Sequence, residues 1–176
     1  MTMTKPDYKS TELDIQAAMV DMATRHPDKS SRPRFIQWGE HSVTTIYDWH
    51  VPTSGTISIE LVGAVSDVRQ GLDVKISHGK VFLEESQVDH LRTWFDPELP
   101  KKVSYDYEAS DGMLKLWNVY ERRWPDGQIT EEKWTGNSGF FVEEVNEQEK
   151  IFHCSHGSVP SPKFDSLVVR VRVKAT

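Results

Sequence analysis

The residues with the most varied chemistry in this 176-residue chain stand together at His153-Cys154-Ser155-His156. On an extended strand alternate side chains share a face, so Cys154 and His156 fall on one side, where a thiolate and an imidazole would supply two zinc ligands. No second cysteine and no paired-histidine motif completes the set, although His26, His41, His50, His78 and His90 are scattered along the chain. The same four residues also fit a buried structural thiol flanked by surface imidazoles. Asp48 and His50, two apart on a predicted strand, bring a carboxylate beside an imidazole, the arrangement that orients a general base. Neighbouring acids at Glu131-Glu132 and Glu143-Glu144 point to opposite faces of a strand and do not give one site two carboxylates. No nucleophile-elbow motif, phosphate-binding loop, dinucleotide fingerprint or zincin motif is present.

The aromatic residues are the other chemical resource. The chain carries six Trp, five Tyr and seven Phe. Several stand beside turns: Trp49, Trp94-Phe95, Trp124 before Pro125, and Trp134 before the loop Gly136-Asn137-Ser138-Gly139. Rings next to hydroxyl and amide groups suit the faces of sugars, or choline-type head groups through cation–π attraction. Trp134, ending a strand against a glycine-rich loop, is expected at a surface ligand site.

Most of these residues must be positioned by β-strands. Ile57, Ile59 and Leu61 alternate with Ser58 and Glu60, and Leu72, Val74 and Ile76 with Asp73, Lys75 and Ser77, the period-two signature of half-buried strands. Further strands are predicted at residues 34–38, 43–49, 80–84, 103–107, 113–121, 128–134, 140–145, 151–155 and 167–173. The stretch from Val103 to Phe141 reads as an antiparallel meander between Asp111-Gly112 and Asp126-Gly127 turns. Roughly ten short strands joined by turns imply an all-β fold, an antiparallel sandwich or flattened barrel over residues 34–174. The one long irregular connection runs from Glu85 to Lys102.

Residues 1–28 are expected to hold the single helix. Thr11 with Asp14 three residues on is a cap-like start, and His26-Pro27 is a stop. At helical spacing Asp14, Asp21 and Arg25 fall on one side, and Leu13, Ala17 and Val20 on another. This amphipathic helix either packs on the sandwich or acts as a detachable membrane-active segment. Its acidic polar face is ill suited to anionic membranes.

Composition narrows the function further. A length of 176 residues suits one domain covering residues 1–176. The net charge of −6 argues against nucleic acid as a partner, because counterion release needs a basic face. One cysteine excludes an internal disulfide framework. The N-terminal residues lack the apolar core of a secretory signal, so the expected location is the cytoplasm, or outside the cell without a classical signal.

A family resemblance adds to this reading. Thr53-Ser54-Gly55-Thr56, then Val103-Ser104-Tyr105-Asp106-Tyr107, Trp117-Asn118-Val119 and Glu131-Glu132-Lys133-Trp134 follow an order that resembles the actinoporin-like cytolysins, whose β-sandwich is similar to that of fungal fruit-body lectins. The resemblance implies a phosphocholine or glycan pocket with Ser54 and Trp134 as head-group contacts and Tyr105 and Tyr107 nearby. Ser104 stands where that family has Pro, and Glu108-Ala109-Ser110-Asp111-Gly112 replaces its membrane-inserting aromatic cluster. The expected function is therefore a non-enzymatic, lectin-like protein that binds carbohydrate or lipid head groups, with contact to a membrane surface possible. A pore-forming toxin and a small β-barrel enzyme using Asp48 and His50 are the alternatives.

No cofactor is expected. A chelator should leave the thermal unfolding transition unchanged; stoichiometric zinc whose removal unfolds the protein would overturn this.

Overall fold

Alternation along the strands places one apolar layer at the centre of the molecule. In the last strand Leu167, Val169, Val171 and Val173 are buried, whereas Arg172 and Lys174 are exposed. The computed structural model describes residues 6–65 and 68–176. Its strands are β1 (Ile36–Trp38), β2 (His41–Thr44), β3 (Tyr47–His50), β4 (Ser54–Ala64), β5 (Gln70–Lys75), β6 (Gly79–Phe82), β7 (Gln87–Val88), β8 (His90–Trp94), β9 (Lys102–Ala109), β10 (Met113–Arg123), β11 (Ile129–Glu132), β12 (Gly139–Asn146), β13 (Glu149–Ser155) and β14 (Leu167–Ala175).

Two antiparallel sheets result. The larger has the order β1-β2-β12-β13-β14-β4-β9-β6-β7, and the smaller β11-β10-β5-β8 with β3 also paired to β10. The shared core includes Ile57, Ile59, Tyr107, Val169, Val171 and Phe152 from the large sheet and Leu72, Val74, Leu114 and Leu116 from the small one. This is the expected all-β sandwich.

Three local differences from the sequence reading have physical causes. The stretch from Val103 to Phe141 is not one continuous meander, since β9 and β12 lie in the large sheet and β10 and β11 in the small one. The Asp126-Gly127 turn closes a true hairpin between β10 and β11, whereas Asp111-Gly112 carries the chain from one sheet to the other. Both turns use a glycine at positive φ, 63° at Gly112 and 86° at Gly127, which a residue with a Cβ reaches only at a cost. The predicted strand 43–49 breaks at Thr45-Ile46, where the Thr44 hydroxyl lies 2.8 Å from the Arg34 carbonyl and 3.0 Å from that of Ile46, diverting local backbone groups from the ladder. The connection expected between Glu85 and Lys102 contains β7 and β8.

The helix, α1 (Ile15–Arg25), is present with a different buried face. Asp14, rather than Thr11, is the N-cap and accepts from the Ala17 amide at 2.8 Å. Thr11 instead donates to the Tyr8 carbonyl at 2.7 Å, closing the short 3-10 turn Tyr8–Ser10. Ile15, Ala18 and Met22 form the buried stripe, while Val20 is 61% exposed and Leu13 38%. Asp21 borders that stripe and accepts from the Tyr8 hydroxyl at 2.7 Å. That bond, reinforced by Arg25, holds the Asp21 carboxyl below its usual range.

The helix covers the opposite face of the large sheet. Phe140 belongs to the sandwich core and Phe141, its neighbour, packs with Ile15, Ala18, Val43 and Trp38. Its start is tied to the 136–137 segment, with the Ile15 amide donating to Asn137 Oδ1 at 3.2 Å and the Gln16 amide to the Gly136 carbonyl at 3.0 Å. No helix among the described residues is long and apolar enough to cross a membrane.

Ile15→Ala should lower unfolding free energy by about 2–4 kcal/mol in urea titrations, and Val20→Ala by less than about 0.5 kcal/mol. The reverse ranking would mean that the helix docks through its other face.

Candidate functional site

An open groove of about 800 Å³ lies on the face of the large sheet that points away from the small one. Alternation makes its floor. On β4, Ile57 and Ile59 enter the core, which turns Thr56 and Ser58 outward. On β9, Tyr107 and Ala109 face the core, which turns Ser104 and Asp106 outward. Phe82, after core residue Val81 on β6, supplies an aromatic wall, and Glu84 and Glu85 in the turn that follows supply the rim.

Backbone pairing explains why a groove forms there. The β6 ladder covers Asp106 to Ala109 of β9, while β4 pairs from Lys102 to Glu108. Once β6 turns away after Phe82, the Lys102 to Tyr105 segment has no strand on that side among the described residues. Hydroxyl and carboxylate groups are pre-aligned across the floor. Thr56 donates to Asp106 Oδ1 at 2.9 Å, and the Ser58 and Ser104 hydroxyls bond at 2.9 Å. Lys80 lies 5.3 Å from the Phe82 ring centre. Three carboxylates, Glu84, Glu85 and Asp106, nevertheless make the lining acidic.

The four residues expected to bind ligand are not gathered in one place. Tyr105, on the core-facing side of β9 and packed against the sandwich core, borders the groove beside Ser104 and Asp106. Ser54 lies on the same strand and face as Thr56, opposite Glu108, and its hydroxyl accepts from Thr176 at 3.1 Å. Tyr107 is enclosed beneath the floor at 1% exposure and donates to the Pro52 carbonyl at 2.8 Å; burial pushes its hydroxyl pKa up to about 12. Trp134 lies against the small sheet, its ring 5.5 Å from that of Trp117 and 4.5 Å from the Lys133 ammonium. It is the only non-glycine among the described residues with positive φ, 61°, a backbone state that costs about 1–3 kcal/mol.

Around Trp117 the outer face of the small sheet holds a polar network absent from the sequence reading. Asp73 is fully buried, accepts two bonds from Arg92 at 2.8 and 2.9 Å, and lies 2.8 Å from His90 Nε2. Arg92 also donates to Glu131 at 2.6 Å. The bonded partners are 17 to 39 residues apart in sequence, so only strand pairing brings them together. The available signal was one acid, Asp73, between buried Leu72 and Val74. For the groove, the signal was Phe82 followed by two acids before a turn.

The weaker chemical alternatives also have clear placements. Asp48 is engaged by Arg34 at 2.5 Å and Lys115 at 3.3 Å, not by His50. Cys154 lies wholly in the sandwich core, where burial pushes its thiol far above the ordinary range. His156 is also buried; its Nδ1 accepts from the Ser158 amide at 3.2 Å. Among the described residues no group of three potential ligands is placed to hold a metal ion.

Asp73→Ala would leave the Arg92 guanidinium with Glu131 as its remaining carboxylate partner beside an emptied pocket and should cost about 3 kcal/mol in urea titrations. Lys75→Ala, which removes an exposed pair with Asp89, should cost less than about 1 kcal/mol. Equal costs would contradict a structural role for the buried network.

No protein-family model, curated protein or solved structure matches this chain.

Proposed function

We propose that this protein is a non-enzymatic, lectin-like binding module that takes a neutral carbohydrate in the groove formed by β4, β9 and β6. The observation that carries the reading is the combination of the Phe82 ring with aligned Thr56, Ser104 and Asp106 side chains in one open groove. An aromatic ring covers the C–H face of a sugar, while hydroxyl and carboxylate groups bond its hydroxyls. An open groove accepts one end or an internal part of a chain.

Charge favours a neutral ligand. Glu84, Glu85 and Asp106 would repel phosphate, sulfate or sialate. A choline head group is the competing occupant, because its quaternary ammonium suits the same ring and carboxylates. The pore-forming alternative has less support, since α1 buries Ile15, Ala18 and Met22 and is tied to the 136–137 segment. Releasing it would expose both faces of that contact.

Purified protein screened against neutral, sialylated and sulfated glycans and against phosphocholine vesicles should bind neutral glycans alone. Phe82→Ala and Asp106→Ala should each weaken binding at least about tenfold, near 1.4 kcal/mol, with folding intact. Binding confined to phosphocholine vesicles would transfer the groove to the head-group reading. Failure of both variants to change glycan binding would remove the groove from the proposal.

A further inference from the structure

The groove runs along a strand edge whose free backbone groups follow from the phase of the ladder. Along β9 successive residues present their N–H and C=O groups to opposite sides. The Ala109 amide donates to the Thr53 carbonyl at 2.8 Å and the Leu61 amide to the Lys101 carbonyl at 2.7 Å, so the odd-numbered residues serve β4. Just past β9 the Ser110 amide donates to the His78 carbonyl at 2.8 Å, so the even-numbered ones serve β6. β6 reaches only as far as the pairing of Phe82 with Asp106 and then turns, the Leu83 amide donating to the Ser86 carbonyl at 2.8 Å. Ser104 and Lys102 therefore each direct an N–H and a C=O to a side that holds no strand among the described residues.

Both residues are exposed, so a ligand reaches these groups in the structure as it stands. Ser104 also lines the groove, with Glu84 and Asp106. A sugar hydroxyl donates and accepts at once, and so serves an N–H and a C=O that point the same way. The trimethylammonium of choline does neither. Two residues apart on a strand, the pairs at Ser104 and Lys102 are separated by roughly 7 Å, more than neighbouring hydroxyls of one pyranose ring span.

We propose, on the carbohydrate reading of the groove, that its ligand is a neutral oligosaccharide lying along β9, with hydroxyls of successive sugar units bonded to the backbone of Ser104 and Lys102. Phe82 and Asp106 hold the unit nearest β6, and the free edge extends the site toward Lys102. The same edge favours a hydroxylated ligand over a choline head group.

The test titrates 1,4-linked gluco-, manno- and galacto-oligosaccharides of one to four units and follows backbone amide shifts of the full chain. In the native protein affinity should rise at least about tenfold between one and three units and then level off, with the Ser104 and Lys102 amides shifting together. That series needs no variant to fold. Ser104→Pro removes the free N–H without breaking a ladder bond, and edge strands accept proline at such positions. It should keep the native melting temperature and bind the three-unit sugar about tenfold more weakly than Ser104→Ala, which lacks only the hydroxyl. Val103→Pro, whose amide would have faced β4, should lower the melting temperature instead. Affinity independent of length, equal binding by the Pro and Ala variants at position 104, or a loss of stability in Ser104→Pro to match Val103→Pro would each overturn the proposal and leave the groove standing as a sugar site. If none of the three series binds, the carbohydrate reading fails and the proposal with it.

Discussion

Two sheets of unequal width must share one apolar layer, and the rest of the molecule is arranged around that mismatch. Nine strands face five. The small sheet shields the part of the large one that contributes Ile57, Ile59, Val169, Val171 and Phe152. Toward β12, β2 and β1 the large sheet is apolar on its other face as well, and there Phe141, Val43, Ile36 and Trp38 need a separate cover. The helix provides it. At Phe140 and Phe141 consecutive side chains enter two different cores, so the sheet is buried on both faces at that point.

At the other end the large sheet is polar outside, and its pairing is incomplete. After Phe82 the chain leaves β9, turns through Glu84 and Glu85, and passes by way of β7 into β8 of the small sheet. This crossing leaves the groove behind it. A crossing of the same kind, from β8 back to β9, borders a cavity of about 430 Å³ lined in part by Leu61, Phe95, Leu99 and Leu167. Both concave sites are thus consequences of how the chain moves between sheets. Neither needs a large insertion.

Strand periodicity made the fold class legible, because strands such as β4, β9 and β14 alternate core-facing and outward residues and one face must be buried. Sheet membership was not legible. Asp111-Gly112 and Asp126-Gly127 look alike in sequence, yet the first switches sheets and the second closes a hairpin. The helix was readable as an element, but its buried face was not. Asp14 was counted among its polar residues, whereas it caps the helix, and Asp21 sits beside the buried stripe because Tyr8 satisfies it. Of the residues expected at a ligand site, Tyr105 borders the groove and Trp134 stands on the other sheet. Nothing local to Trp134 reveals that Lys133 and Trp117 hold its ring. The Asp73, His90 and Arg92 network was likewise hidden, since its members are brought together by the β5–β8 register alone.

The ligand site proposed for this protein is the groove on the outer face of the large sheet. Titrating the isotopically labelled protein with the neutral glycan that binds most strongly, and mapping backbone amide shifts, tests it directly. The account predicts shifts concentrated at residues 82–85 and 104–106 with Thr56, leaving Trp117 and Trp134 unmoved. Shifts centred on Trp117, Lys133 and Trp134 would contradict it and move the site to the small sheet.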